Sequence, residues 1–276
     1  MLGAIIGDIA GSIYEWRPIK HKGFQPLLAA DAFFTDDTVL TVAVADALLA
    51  DRSPVEAFKD WGQRYPDSGW GGRFRQWLFS DETAAYGSFG NGAAMRVSPA
   101  GLLGRTLDEA LDLARRVTEV THDHPEGIKG AAATTHAIFM ARAGKPAAAI
   151  RTAIAEGYGY DLSRTLDAIR PAYRFNETCQ GTVPEALTAA LEAISYEDAI
   201  RNAISLGGDS DTLAAIAGGV AEDRFGIPET IAQEGWRRLP ADMQAVLERL
   251  YRRVGRPFPW APGASLPNPA ESGEPG

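Results

Sequence analysis

Apolar residues recur at three- and four-residue spacing along nearly the whole chain, and runs alternating apolar and polar at every second position are missing. That pattern predicts helices and no sheet. Leu2, Ile5, Ile6, Ile9 and Ile13 define a first helix over 2–15, in which Gly3, Gly7 and Gly11 form a stripe of small residues. Each interior Gly costs about 1 kcal/mol relative to Ala, so the stripe predicts a neighbouring helix close enough to offset the loss. A second apolar helix spans 37–50, and Ser53-Pro54 provides the cap and first turn of a third. Further helices are expected over 107–119, 127–142, 146–155, 184–194, 196–204, 212–225, 228–234 and 241–254. The chain is therefore expected to be all-α, with a single domain over 1–261.

Two segments break the pattern. Residues 62–92 mix glycine with Tyr65, Trp70, Phe74, Trp77, Phe79, Tyr86 and Phe89, and residues 158–181 are irregular. Aromatics of this density are more often core than a stacking platform, although Tyr86 or Phe89 suits packing against a nucleoside. Residues 262–276, rich in Pro, Gly, Ser and Glu, are expected to be a disordered tail. A single cysteine, Cys179, excludes an internal disulfide framework and suits a reducing cytoplasm. Residues 1–13 lack a basic flank and are interrupted by Asp8, so no leader is expected. No run of residues matches a membrane span. A formal charge of −9 argues against a broad nucleic-acid surface. An acidic chain of this kind must hold any anionic ligand through local donors or cations.

Candidate chemistry lies in two short segments, Phe34-Thr35-Asp36-Asp37-Thr38 and Gly207-Gly208-Asp209-Ser210-Asp211-Thr212. Each places two carboxylates and hydroxyl oxygens at the start of an apolar helix. Helix capping explains one acid at such a position; it does not explain two. Four acids at the starts of two buried helices repel one another unless cations lie between them. Oxygen donors of this kind suit Mg²⁺, Mn²⁺ or Ca²⁺ and disfavour zinc. Gly207-Gly208 is expected to let backbone approach a ligand. Glu15, spaced on the first helix to share a face with Asp8 and Gly11, is either a fifth member or a solvated helix-end acid.

These segments, with Gly7-Asp8 through Gly11-Ser12-Ile13-Tyr14-Glu15, Gly90-Asn91-Gly92-Ala93-Ala94-Met95-Arg96 and Thr121-His122, resemble the ADP-ribosylglycohydrolase family in kind and order. The resemblance implies an orthogonal helical bundle with a binuclear Mg²⁺ or Mn²⁺ centre at helix N-termini. Thr35, Asp36 and Asp37 would ligate metal from one side, and Asp209, Asp211 and Thr212 from the other. Glu15, Asp36 and Asp209 would carry catalysis, with Glu15 near the attacking water. Ser88, Gly90, Asn91, Gly92, Met95 and His122 would bind substrate, the glycines wrapping a diphosphate. The implied reaction cleaves the glycosidic bond between ADP-ribose and an acceptor, most simply an arginine of a modified protein. Serine, nucleic-acid or small-metabolite conjugates are alternatives, as is a catalytically silent ADP-ribose binder, since some relatives are lens crystallins.

Two rival motif readings fail. His122-Asp123-His124 resembles the His-x-His of an amidohydrolase, but only His21 and His136 remain as further ligands; His124-Pro125 reads instead as a helix-ending turn. Asp209-Ser210-Asp211-Thr212 resembles an aspartyl-phosphatase motif, which follows a strand in an α/β fold and not Gly-Gly in a helical chain.

Overall fold

A computed structural model describes residues 1–261, so the tail expected over 262–276 lies outside the described residues. Helices dominate, as the apolar spacing requires, and the described residues form no strand. They are α1 (Leu2–Gly11), α2 (Asp36–Ala50), α3 (Pro54–Arg64), α4 (Gly72–Leu78), α5 (Gly92–Met95), α6 (Ser98–Leu103), α7 (Leu107–Thr118) and α8 (Pro125–Arg142). They continue with α9 (Ala147–Tyr158), α10 (Leu166–Ile169), α11 (Cys179–Glu192), α12 (Tyr196–Ile204), α13 (Ser210–Phe225), α14 (Glu229–Arg237) and α15 (Ala241–Arg253).

The centre of the fold is α13, which is buried on every side from Ser210 to Glu222. Small residues all round this helix let α1, α8, α11 and α12 pack against it. The glycine stripe of α1 is the closest of these contacts. A Cβ on Gly3 would lie 2.5 Å from the Gly218 carbonyl oxygen, one on Gly7 2.0 Å from that of Ala214, and one on Gly11 2.4 Å from that of Ser210. The two helices therefore touch backbone to backbone. They run antiparallel, which brings the C-terminal end of α1 to the N-terminal end of α13.

The first helix is shorter than its apolar spacing predicts. It stops at Gly11 because the Ser12 hydroxyl donates to the Ile9 carbonyl and accepts from the Phe33 amide, while Tyr14 N–H turns back to Gly11. Glu15 thus sits in a turn, not on a helical face. Pro184 does not start α11 either. That helix begins five residues earlier, where Thr178 accepts from the Gly181 amide, and it accommodates the proline in its interior. His124 starts a helix instead of ending one: its Nδ1 accepts from the Glu126 amide at 3.1 Å, capping α8. The aromatic-rich stretch is more ordered than expected, folding as α4 with Trp70, Phe74 and Trp77 in the core.

Candidate active site

Asp8 sets the site's first edge. It is fully buried in α1 and accepts from the backbone amides of Thr35 (2.9 Å) and Thr38 (3.1 Å) and from both their hydroxyls. A side chain from one helix therefore holds the start of another. Thr35 is the N-cap of α2, its hydroxyl accepting from Asp37 N–H, and the Asp36 amide donates to the Ser68 carbonyl at 2.7 Å. Asp36 and Asp37 are left with their carboxylates turned to a cavity of about 650 Å³.

The second edge is the N-terminus of α13. Asp209 caps it without donating or accepting a side-chain cap bond, and Asp211 lies in the first turn. The seam with α1 delivers Glu15 to this point: carboxylate oxygens of Glu15, Asp209 and Asp211 lie within 4.8 Å of one another. Thr212 joins the two edges, its hydroxyl donating to Asp37 Oδ2 at 3.3 Å. Thr35, Asp36, Asp37, Asp209, Asp211, Thr212 and Glu15 all line the one cavity.

Burial and mutual repulsion disfavour charge throughout this cluster. Desolvation, then the neighbouring acids, raise Asp36, Asp37 and Asp211 well above the usual carboxylate range. Asp209 is pushed up to about 6, chiefly by burial, against hydrogen bonds from Asp211 and Asn91. Glu15 rises to about 7 through burial and then the charge of Asp211. Asp37 Oδ1 is buried with no hydrogen-bond donor among the described residues. A buried orphan oxygen within an all-oxygen set of carboxylates and hydroxyls fits a hard divalent cation.

The opposite wall is glycine-rich. Ser88, Gly90, Asn91, Gly92, Met95 and His122 line it, as the spacing suggested. Ser88 Oγ accepts from the Gly90 amide (3.2 Å), and Met95 sits with its sulfur 3.9 Å from the Thr212 hydroxyl. Asn91 does something the motif did not announce. Its side-chain amide donates to Asp209 Oδ2 at 2.7 Å and to Thr182 Oγ1 at 3.1 Å, tying the glycine loop to the acid cluster. Its backbone amide donates to the Glu177 carbonyl at 2.7 Å. That contact pins the loop against residues 176–179, part of the segment left without an assignment above.

Gly207 and Gly208 are not at the cavity. Gly207 has a φ of +60°, and a Cβ there would meet the Ile19 carbonyl oxygen at 2.6 Å; one on Gly208 would meet the Tyr173 ring at 2.5 Å. The pair accommodates protein, not ligand. Trp16, Phe33, Asp67, Arg73, Phe175 and Glu177 also line the cavity and carried no motif. Trp16 stacks on Phe175 with centroids 5.3 Å apart, a contact between residues distant in sequence. Tyr86 lines the cavity under the Arg73 guanidinium, whereas Phe89 lies against His124.

A helical fold that gathers acids at two helix N-termini over a glycine-walled cavity defines a hydrolase class whose members act on ADP-ribose conjugates, and this chain is a glycosidase of that class. The chain belongs to the ADP-ribosylglycohydrolase family, whose family model matches residues 1–258. It is 24% identical over 317 aligned positions to the ADP-ribosylhydrolase ARH3 of Homo sapiens, covering 86% of this chain and 87% of that protein. It is 23% identical over 295 positions to the ADP-ribosylarginine hydrolase Tri1 of Pseudomonas putida (strain GB-1), covering 92% of this chain and 77% of Tri1. A solved structure described as an ADP-ribosylglycohydrolase-related protein complex superposes with a TM-score of 0.69 at 27% identity, covering 92% of this chain and 97% of its own.

Proposed function

We propose that the protein is a metal-dependent hydrolase that releases ADP-ribose from an arginine side chain of a modified protein, using two Mg²⁺ or Mn²⁺ ions. The observation that carries this reading is the meeting of Glu15, Asp36, Asp37, Asp209 and Asp211 at one cavity whose other wall is a glycine loop. Thr35, Asp36 and Asp37 would hold metal from α2, and Asp209, Asp211 and Thr212 from α13. When bound, the cations supply Lewis-acid polarisation and the positive charge that an acidic protein needs for an anionic substrate.

The protein's own groups have separate tasks. Glu15, half-buried at the cavity and held near neutrality in its proton affinity, is placed to take a proton from water at its carboxylate as that water attacks the anomeric carbon. The electron pair of the broken C–N bond leaves on the guanidine nitrogen, which is reprotonated on departure. Asn91 fixes the Asp209 carboxylate by its 2.7 Å hydrogen bond. Gly90 and Gly92 line the cavity without side chains, so a diphosphate would lie close to backbone there, with His122 beside it. Met95 closes the floor against Thr212.

The acceptor side favours a planar cation. Trp16, three-quarters exposed, stacks on Phe175 at the mouth where Glu15 and Glu177 also face the cavity. Aromatic faces and carboxylates together suit a guanidinium, and the relative Tri1 carries arginine in its name. No described helix is long and apolar enough to cross a membrane, and the free, buried Cys179 accords with a cytoplasmic setting.

The deciding assay follows free ADP-ribose released from an arginine-ADP-ribosylated protein with Mg²⁺, with Mn²⁺ and with chelator. Metal-dependent release is the expected result. Metal-dependent binding of ADP-ribose without release would redirect the search to serine, nucleic-acid or small-metabolite conjugates, or to a silent binder. Neither binding nor release would overturn the reading.

A further inference from the structure

One guanidinium stands alone among the acids of the cavity. On α4, Phe74, Trp77 and Leu78 turn into the core, which leaves Arg73 at the cavity wall. Seven carboxylates line that cavity, and among the described residues Arg73 is the one lysine or arginine that does. His122 adds no second charge, because burial and then the Arg96 cation hold its ring well below the ordinary histidine pKa. Tyr86 adds no anion. Burial pushes its phenol up to about 12, so it stays protonated beneath the guanidinium.

Arg73 is anchored at two points. Its central carbon lies 4.9 Å from the centroid of the Tyr86 ring, and its Nη2 donates to the Tyr86 carbonyl at 2.5 Å. That carbonyl is neutral and takes one of the five N–H groups a guanidinium carries. Among the described residues the other four meet no acceptor, and no carboxylate pairs with the group. A long side chain held in this way has already lost much of the rotamer freedom that binding would otherwise remove.

The anchor also fixes where the charge lies. Tyr86 stands two residues before Ser88, whose hydroxyl accepts from the Gly90 amide at the start of the glycine wall. Five of the seven acids gather instead at the starts of α2 and α13 and at Glu15. An anionic ligand is repelled along that lining and meets side-chain attraction at one place. A planar fork of free N–H groups can engage two phosphate oxygens at once. We propose that Arg73 is a specificity-determining residue that pairs with the diphosphate of the bound group and makes that charge a condition of tight binding. The ligand's identity rests on the function proposed above, but Arg73 lies outside every segment that carries the family resemblance.

The test is calorimetry on the full chain with saturating Mn²⁺, comparing the unsubstituted protein with Arg73→Gln and Arg73→Lys at low and high salt. In Arg73→Gln the affinity for ADP-ribose is expected to fall about ten- to a hundredfold, the worth of a hydrogen bond to a charged group. Affinity for Mn²⁺, and for ribose measured by competition, should stay within about twofold, since neither involves the diphosphate. Lysine keeps the charge and loses the fork, so Arg73→Lys should recover part of the loss. Added salt should weaken ADP-ribose binding less in Arg73→Gln than in the unsubstituted protein. Undiminished ADP-ribose affinity in Arg73→Gln overturns the proposal, and a raised KM for modified protein alone would move the residue to the acceptor side. A parallel loss for ribose, or equal weakness of the two variants, overturns it as well, because Arg73 would then act through its hold on Tyr86. If the unsubstituted protein binds ADP-ribose without releasing it from arginine, the proposed reaction fails and the Arg73 comparison still decides this inference. If it binds no ADP-ribose, both fall.

Discussion

Glu15 owes its raised pKa of about 7 to burial and to the charges of Asp211, Asp8 and Glu177, and this places its titration in the working pH range. Glu15→Gln keeps the shape and loses the proton acceptor. We expect kcat to fall by about 10²–10⁴ with little change in KM, measured as ADP-ribose release. The acids together also predict how stability responds to pH. Asp8 and Asp209 rise to about 6 from a value of 3.8 when folded, so the folded state binds more protons than the unfolded one between those limits. Stability from these groups is therefore complete below about 3.8 and is lost progressively as pH rises to about 6, where the loss levels off. With chelator present, the Tm at pH 5 should exceed that at pH 7.5 by about 4 °C or more, since one shifted carboxyl is worth about 1.4 kcal/mol per pKa unit. Saturating Mn²⁺ should raise the Tm at pH 7.5 and flatten the dependence. A Tm that climbs steadily from pH 5 to 7.5 without metal would contradict this account.

Among elements, the junction of α1, α2 and α13 decides the geometry of the site. Asp8→Ala would strand two buried amides and two hydroxyls at the start of α2. A loss of about 3 kcal/mol in denaturant unfolding is expected, together with weaker Mn²⁺ binding by calorimetry, because Thr35, Asp36 and Asp37 lose their anchor. Helices were legible in the sequence wherever an apolar face or an explicit cap marked them, as at Ser53-Pro54 and in the Thr212–Phe225 stretch. The acid pairs were legible because capping leaves the second carboxylate unexplained. Element ends were not. A serine that turns back onto its own helix stops α1 at Gly11, and Pro184 is tolerated inside α11, since both depend on contacts that spacing does not reveal. Trp16, Phe175, Glu177 and the Asn91–Asp209 bond were invisible for the same reason: they join segments far apart in the chain. Gly207-Gly208 misled because close approach to protein and to ligand require the same residue.

Across the whole molecule, two walls of different chemistry meet in one cavity, and the segments that frame its mouth are those with the least regular sequence. Removing the exposed ring there should separate acceptor recognition from ADP-ribose binding. Trp16→Ala is expected to raise KM for an arginine-ADP-ribosylated protein by roughly tenfold, the scale of one lost cation–aromatic contact, while the affinity for free ADP-ribose stays within about twofold. Equal losses in both would place the ring on the nucleotide side instead. The glycine seam between α1 and α13 also bears on how a saturation-mutagenesis library of this chain would look. Scored on turnover alone, Gly3, Gly7, Gly11 and Gly218 would rank with the metal-site acids, although none of the four lines the cavity. Scored on cellular abundance, the two groups would part: the glycine variants vanish from the soluble pool, while neutralised acids such as Asp36→Asn, relieved of repulsion, accumulate normally as inactive protein.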